Sequence, residues 1–351
     1  MQKLLIEAME RGYLTDSLIR FGIRRLCQER LDSLKVISGS DVNKHEIAYS
    51  QSLRQLPLAV HTQEANEQHY ELPPDFFKFV LGKNLKYSSS FWDDKCNTLN
   101  EAEDAALEIS INRAELQDGM RILELGCGWG SLTLAMAKKF PNSKIISLSN
   151  SAPQRLYIEG ELKRLNLSNV QVVTRNIMNT DHLNTEFFPF DRVVSVEMFE
   201  HLKNYELLFK MISKWLTPDG KLFAHIFTHQ EFSYPFEVEG ESNWMGKYFF
   251  TGGQMPSRKL FDFFQNNLKI EKQWVWEGTH YGKTAEAWLK NMDAHSYEIK
   301  KLFDQTYGVN SSKRWVQRWR VFFMSCAELF NYRLGSEWGV SHYLFHQKEK
   351  R

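Results

Sequence analysis

Cysteine is scarce in this chain: four residues in 351, Cys27, Cys96, Cys127 and Cys326, far apart and with no C-x-x-C pair. Such spacing excludes a disulfide framework and a cysteine zinc site, and it points to reduced thiols in a cytoplasmic protein. Long apolar runs are missing as well. No stretch nears the roughly 20 residues of a membrane-spanning helix. The N-terminal MQKLLIEAMERGYL carries acids within its first turns, so neither a signal peptide nor stable membrane insertion is expected. An excess of one charge is also lacking. Lys and Arg number 44 against 43 Asp and Glu, a net +1, which excludes bulk attraction to nucleic acid. Aromatic residues are plentiful, at 14%, and they gather after residue 230. They either line a pocket for an apolar ligand or fill a core.

Along the chain, helices are expected over 2–12 and 16–34. The second places Ile19, Ile23 and Leu26 on one stripe and carries Arg20, Arg24, Arg25 and Arg30. Glu29 and Asp32 dilute its charge, so docking onto the rest of the chain is favoured over a membrane surface. Residues 40–60 are polar and are expected to form an irregular linker. From residue 120 the pattern changes to alternating strands and helices: MRILELG, SLTLAMAKKF, KIISLSN, PQRLYIEGELKRLNL, VQVVTRN, DRVVSVE, NYELLFKMISKWL and KLFAHIFTH. That alternation indicates a parallel sheet covered on both faces. LKIEKQWVWEG and WGVSHYLFHQ supply two further strands, with helices expected between them at about 283–305 and 311–332.

ILELGCGWG ends the first strand. Gly126, Gly128 and Gly130 permit a tight turn against which a ligand can pack closely, and Glu124 stands just before it. The dinucleotide fingerprint would be G-x-G-x-x-G. Here the spacing is G-x-G-x-G behind an acid, which resembles the first motif of the S-adenosylmethionine-dependent methyltransferases. The resemblance implies that this turn lies under the methionine part of the cofactor and that Glu124 serves its amino group. Ser149, Asn150 and Gln154 follow the second strand, where most such enzymes place an acid for the ribose. Asn176 and Ile177 follow the third, at the expected adenine position. HYELPPDFF and NLKYSSSFW resemble the cyclopropane fatty acid synthase group, in which the segment matching Tyr87 and Ser88 contacts the cofactor. IRFGIRRL, VEMFEHLKNYE, YFFTGGQMPS and AEAWLKNMD resemble, within that group, the coclaurine N-methyltransferases.

The resemblance covers the whole chain. It implies a class I, Rossmann-like α/β fold with a seven-stranded, mostly parallel sheet. It divides the chain into a helical extension and linker (1–60), a cap over the cofactor (61–115), a cofactor-binding core (116–230), an acceptor-site cover (231–266) and the remainder of the core (267–351). The implied activity is methylation of a small aromatic amine. A homodimer is left open. The alternatives are methylene transfer to an unsaturated lipid and a non-catalytic cofactor-binding protein.

The strand Val193–Val196 runs into Glu197, Glu200 and His201. Were 197–201 a helical turn, the three would share one face toward the cofactor. An alkylamine with a pKa of about 10 arrives as ammonium. Carboxylates attract it and a histidine can take its proton. The resemblance assigns these roles to Glu197, Glu200 and His201. The same residues could instead cap the next helix or bind a metal. No metal is expected, because only one such cluster occurs, and His225 and His229 stand about 13 Å apart on a strand. In the cyclopropane synthases the positions matching Ser89, Glu200, His225 and Tyr281 hold a bicarbonate. Ser89 replaces a cysteine and the other three are retained, so the resemblance leaves room for that ion. Trp244, Tyr248, Phe249 and Phe250 are expected in the acceptor wall, with Trp338 reaching it on the resemblance alone.

Overall fold

The computed structural model describes residues 2–39, 41–59, 72–177, 188–238, 240 and 243–348. Seven strands form one sheet: β1 (Arg121–Leu125), β2 (Lys144–Ser149), β3 (Val170–Thr174), β4 (Phe190–Val196), β5 (Leu216–His229), β8 (Leu268–Glu277) and β9 (Trp338–Gln347). A two-stranded ribbon, β6 (Tyr234–Pro235) with β7 (Gln254–Met255), stands apart. The sheet order is β3-β2-β1-β4-β5-β9-β8. The pairs from β3 to β5 are parallel, while β9 lies antiparallel between β5 and β8. The expected seven-stranded, mostly parallel sheet is therefore present. Its central strands bury Ile122, Leu123, Val193 and Val194 completely, as strands covered on both faces must.

The chain passes from β1 outward to β2 and β3, then returns to β4 on the other side of β1. Two connections thus leave the carboxyl ends of β1 and β4 in opposite directions. The crevice between them is where open α/β sheets bind ligands.

Three elements differ from the sequence expectation. The linker expected over 40–60 contains a helix, Val42–Arg54. Asp41 caps it by accepting from the Lys44 N–H at 3.0 Å. Its Glu46 is buried and accepts from Ser233 N at 2.6 Å and Ser233 Oγ at 2.7 Å, so a distant loop satisfies its polarity. The two helices expected near the C-terminus are three, Gly278–Ala294, Ser296–Tyr307 and Val309–Asn331, with Gly308 at φ 80° between the last two. The helix Asp16–Ser38 buries Ile19, Cys27, Leu31 and Leu34, while Leu26 is exposed. It docks onto the C-terminal helices: Arg20 pairs with Glu286 and Glu328, and Arg24 with Glu328. HYELP at 69–73 falls mostly outside the described residues.

Candidate active site

The crevice holds a cavity lined from one side by Glu124, Gly126, Gly128 and Trp129 of the β1 turn. Ser149, Asn150 and Gln154 line it after β2, and Asn176 and Ile177 after β3. Tyr87 and Ser88 line it as well. Ten of the eleven residues expected to bind the cofactor thus share one cavity.

The glycines divide the work. Gly126, Gly128 and Gly130 all have positive φ, at 77°, 53° and 83°, a region that side chains rarely enter. A Cβ at Gly126 would sit 2.7 Å from Met198 Cγ, and one at Gly130 would sit 2.7 Å from Ile158 Cγ1. A Cβ at Gly128 would meet no protein atom within 4 Å, so its open side is the cavity itself. Gly130 does not line the cavity. It caps the helix Ser131–Lys139 and leaves room for Ile158.

Glu124 is buried. Its carboxylate accepts from Ser147 Oγ at 2.8 Å and from Thr133 Oγ. Burial nevertheless outweighs these bonds and pushes its pKa up to about 7. An acid so placed is satisfied best by a cation entering the cavity. Gln154 accepts from Ser149 Oγ at 2.7 Å, and its buried Nε2 finds no hydrogen-bond partner among the described residues. An unpaired buried donor is costly, and this residue lines the cavity. The acid, the orphan donor and the open side of Gly128 fit a sulfonium amino acid joined to a nucleoside.

At the far wall stand Val196, Glu197, Met198, His201 and Leu202. Glu197 is not in a helical turn. Its φ of 46° is left-handed, and the 3-10 turn begins only at Phe199. A non-glycine residue held there costs about 1–3 kcal/mol and marks a constrained position. Its N–H donates to the His225 carbonyl at 2.7 Å. Its carboxylate accepts from Ser89 N at 2.9 Å, Tyr281 OH at 2.8 Å and His225 Nε2 at 3.2 Å. Ser89, His225 and Tyr281 are three of the four groups that match the bicarbonate positions of the cyclopropane synthases, and here they close on a carboxylate of the chain. The fourth, Glu200, is fully buried and does not line the cavity. Its Oε1 accepts from Phe227 N at 2.7 Å, and among the described residues its Oε2 has no partner. Glu197, Glu200 and His201 therefore do not share one face.

Burial and the neighbouring Glu197 push the Glu200 pKa far up. Burial also raises Glu197, while Lys86, Ser89 and Tyr281 oppose the rise. Lys86, Ser89 N and Tyr281 OH favour the charged form of Glu197, whereas burial beside that acid favours the neutral form of Glu200. His201 is pushed down to about 4, mainly by burial, so its ring is neutral at working pH. The ring's pKa thus lies well below the ordinary histidine value of 6.5.

Lys86 was not foreseen. It is buried, its Nζ donates to Ser88 Oγ at 2.6 Å and Ser89 O at 2.5 Å, and burial lowers its pKa to about 8. It anchors the loop that presents Ser89 N to Glu197. A lysine between Leu85 and Tyr87 carries no sign in the sequence that it is buried. From the 231–266 segment Thr251 lines the cavity, and Phe250 stacks near His201 with centroids 6.4 Å apart. The other aromatic candidates face elsewhere. Trp244 donates to Glu10 at 2.9 Å, Phe249 stacks on Phe322 at 4.4 Å, and Trp338 donates to Tyr234 OH at 2.8 Å. Among the described residues, no group of three His, Cys, Asp or Glu is placed to hold a metal, and no helix is long and apolar enough to cross a membrane.

Fold and site define a class I S-adenosylmethionine-dependent methyltransferase. The sequence model of the mycolic acid cyclopropane synthetase family matches residues 59–336. The chain is 37% identical over 348 residues to (S)-coclaurine N-methyltransferase of Thalictrum flavum subsp. glaucum, covering 98% of this chain and 95% of that one. It is 35% identical over 347 residues to the enzyme of the same name from Papaver somniferum, covering 98% of both. The crystal structure of coclaurine N-methyltransferase bound to N-methylheliamine and SAH superposes with a TM-score of 0.93 at 35% identity, covering 97% of this chain and 98% of that one. The chain belongs to the mycolic acid cyclopropane synthetase family.

Proposed function

We propose that the chain N-methylates a small amine carrying an aromatic ring, of the benzylisoquinoline kind that its relatives' names describe. The observation that carries this reading is the Glu197 carboxylate, held by three donors on the cavity wall beside His201 and across from the glycine turn. S-adenosylmethionine supplies the methyl group as a sulfonium. The chain's own residues must hold an ammonium, free its lone pair and keep water out. Glu197 attracts the cation, and neutral His201 or Glu197 itself takes the proton that leaves nitrogen. Glu200 stands behind them as a buried acid. Glu197 also supplies the anion at the donors Ser89, His225 and Tyr281, so bicarbonate has no part in this reading. A lipid double bond would fit poorly there, because a buried carboxylate without a cation costs several kcal/mol.

Mass spectrometry tests the proposal. Phenethyl and tetrahydroisoquinoline amines incubated with S-adenosylmethionine should gain one methyl mass, and Glu197→Gln should lose that product. Unsaturated phospholipid vesicles should gain nothing, with or without bicarbonate. A methylene gain on the acyl chain with every amine inert would replace this reading with the lipid one.

A further inference from the structure

The loop from Lys86 to Trp92 is tied down bond by bond against the helix Gly278–Ala294. Thr284 is fully buried on that helix. Its Oγ1 accepts from Ser90 N at 3.1 Å and from Trp92 Nε1 at 2.9 Å, and it donates to the His280 carbonyl one turn back at 2.8 Å. A hydroxyl has one proton and two lone pairs, so this one is saturated. His280 Nδ1 accepts from Trp92 N at 3.0 Å, and its ring stacks on Phe91 with centroids 4.3 Å apart. From the other side Lys86 Nζ donates to the Ser89 carbonyl at 2.5 Å.

The peptide joining Ser89 to Ser90 is therefore held at both ends, its oxygen by Lys86 and its N–H by Thr284. A peptide is planar and does not turn about its own bond, so the two anchors fix its plane. The N–H of Ser89 lies one Cα before it and donates to Glu197 Oε1 at 2.9 Å. Three residues before Thr284 on the same helix, Tyr281 OH donates to Glu197 Oε2 at 2.8 Å. Thr284 thus ties together the two segments that serve the two oxygens of one carboxylate. Lys86, Ser89 and Ser90 are buried too, so bulk water does not replace a lost bond.

We propose that Thr284 is a positioning residue for methyl transfer: it holds the Ser89 N–H at a set distance from the Tyr281 hydroxyl, so that Glu197 is gripped at both oxygens and aimed at the acceptor nitrogen. Thr284 itself does not line the cavity. It acts through the loop on one side and its own helix on the other. With the hydroxyl gone, Ser90 N–H loses its acceptor and the Ser89 peptide is free to turn. Glu197 would keep Tyr281 and His225 but could swing about them. A reacting group misplaced by about 1 Å can cost about 100-fold in rate.

The inference rests on the reading of Glu197 as the acceptor-facing carboxylate, but its first test involves no turnover. Thr284→Val keeps the shape of the side chain and removes the hydroxyl, whereas Thr284→Ser keeps the hydroxyl. Amide hydrogen exchange of the unliganded protein, read by NMR, should show Ser89 protected in the wild type and in Thr284→Ser. In Thr284→Val its protection should fall about tenfold or more. The Ser89 N–H does not touch Thr284, so a change there reports positioning. In turnover, Thr284→Ser should keep kcat within about threefold. Thr284→Val should lower it about tenfold or more, with the donor Kd within about threefold. Trp92→Phe breaks only the indole bond to Thr284 and should lower the melting temperature while kcat stays within about threefold. If Thr284→Val does not fold, adding Trp92→Phe leaves one orphaned donor in place of two, and the double variant carries the comparison. Unchanged Ser89 protection without the hydroxyl overturns the proposal. So does a kcat loss in Thr284→Ser or Trp92→Phe as large as in Thr284→Val. The expected exchange pattern in an enzyme that methylates no amine would overturn only the reading of the acceptor.

Discussion

Glu197 and His225 are tied twice. The Glu197 N–H donates to the His225 carbonyl at 2.7 Å, and the His225 ring reaches back to the Glu197 carboxylate at 3.2 Å. The first bond belongs to the parallel pairing of β4 with β5 carried one residue past the strand end. It holds Glu197 in its left-handed conformation and turns the side chain from the sheet toward the cavity. The second fixes where that side chain stops. A charge at the end of a buried strand is thus held by backbone geometry as much as by its donors.

The glycines of the first turn should separate by phenotype. Both Gly128→Val and Gly130→Ala place a side chain at positive φ, at a cost of about 1–2 kcal/mol each. Gly130→Ala also drives a Cβ against Ile158 and should lower the melting temperature further. Gly128→Val enters the cavity and should weaken S-adenosylmethionine binding by about tenfold or more beyond any loss of stability. Calorimetric titration beside thermal melts reads both. Unchanged donor affinity in Gly128→Val would remove the turn from the cofactor site.

Donor affinity should depend on pH through Glu124. Its pKa in the unliganded fold is raised from 4.5 to about 7. The folded protein therefore holds a proton that the unfolded chain has released. The stability this group contributes is full at acid pH and is lost as pH rises from about 4.5 to 7. A cationic donor needs the carboxylate ionised. Affinity should rise by about tenfold per pH unit below that pKa and level off above it. Glu124→Gln should bind more weakly at neutral pH and with a flat profile. Titration calorimetry from pH 5.5 to 8.5 checks this, and a flat wild-type profile would contradict it.

His201 should not report itself at its ordinary pKa. Burial pushes it from 6.5 to about 4. The unfolded chain therefore binds a proton that the folded ring refuses, and stability falls as pH drops below about 6.5 toward 4. In kcat/KM against pH, no inflection near 6.5 should come from this ring. His201→Ala should lose about 100- to 10,000-fold in turnover while keeping donor affinity within a few-fold. A wild-type inflection near 6.5 that disappears in the variant would show that the ring titrates normally in the working enzyme.

By itself the sequence determined whatever depends on near neighbours. The alternation of apolar strands with helices specified the sheet, and Glu124, Gly126, Gly128, Ser149 and Asn176 were legible because each stands at or just past a strand end, with Gln154 in the first turn of the helix after β2. Strand ends on one side of a parallel sheet must converge. Only the tertiary structure decided which way the other candidates point. Trp244 and Phe249 have the composition of a pocket wall, yet Glu10 and Phe322, far away in the chain, draw them into the helical packing. Glu200 follows Glu197 by three residues, but the left-handed turn at Glu197 sends it inward to Phe227 N. Lys86 and Thr284 owe their environments to segments that meet only in the fold. Local propensity fixes the period of an element. The direction of a polar side chain at its end is fixed by whichever distant donor or acceptor can satisfy it, because a buried group left unsatisfied costs more than the turn needed to reach a partner.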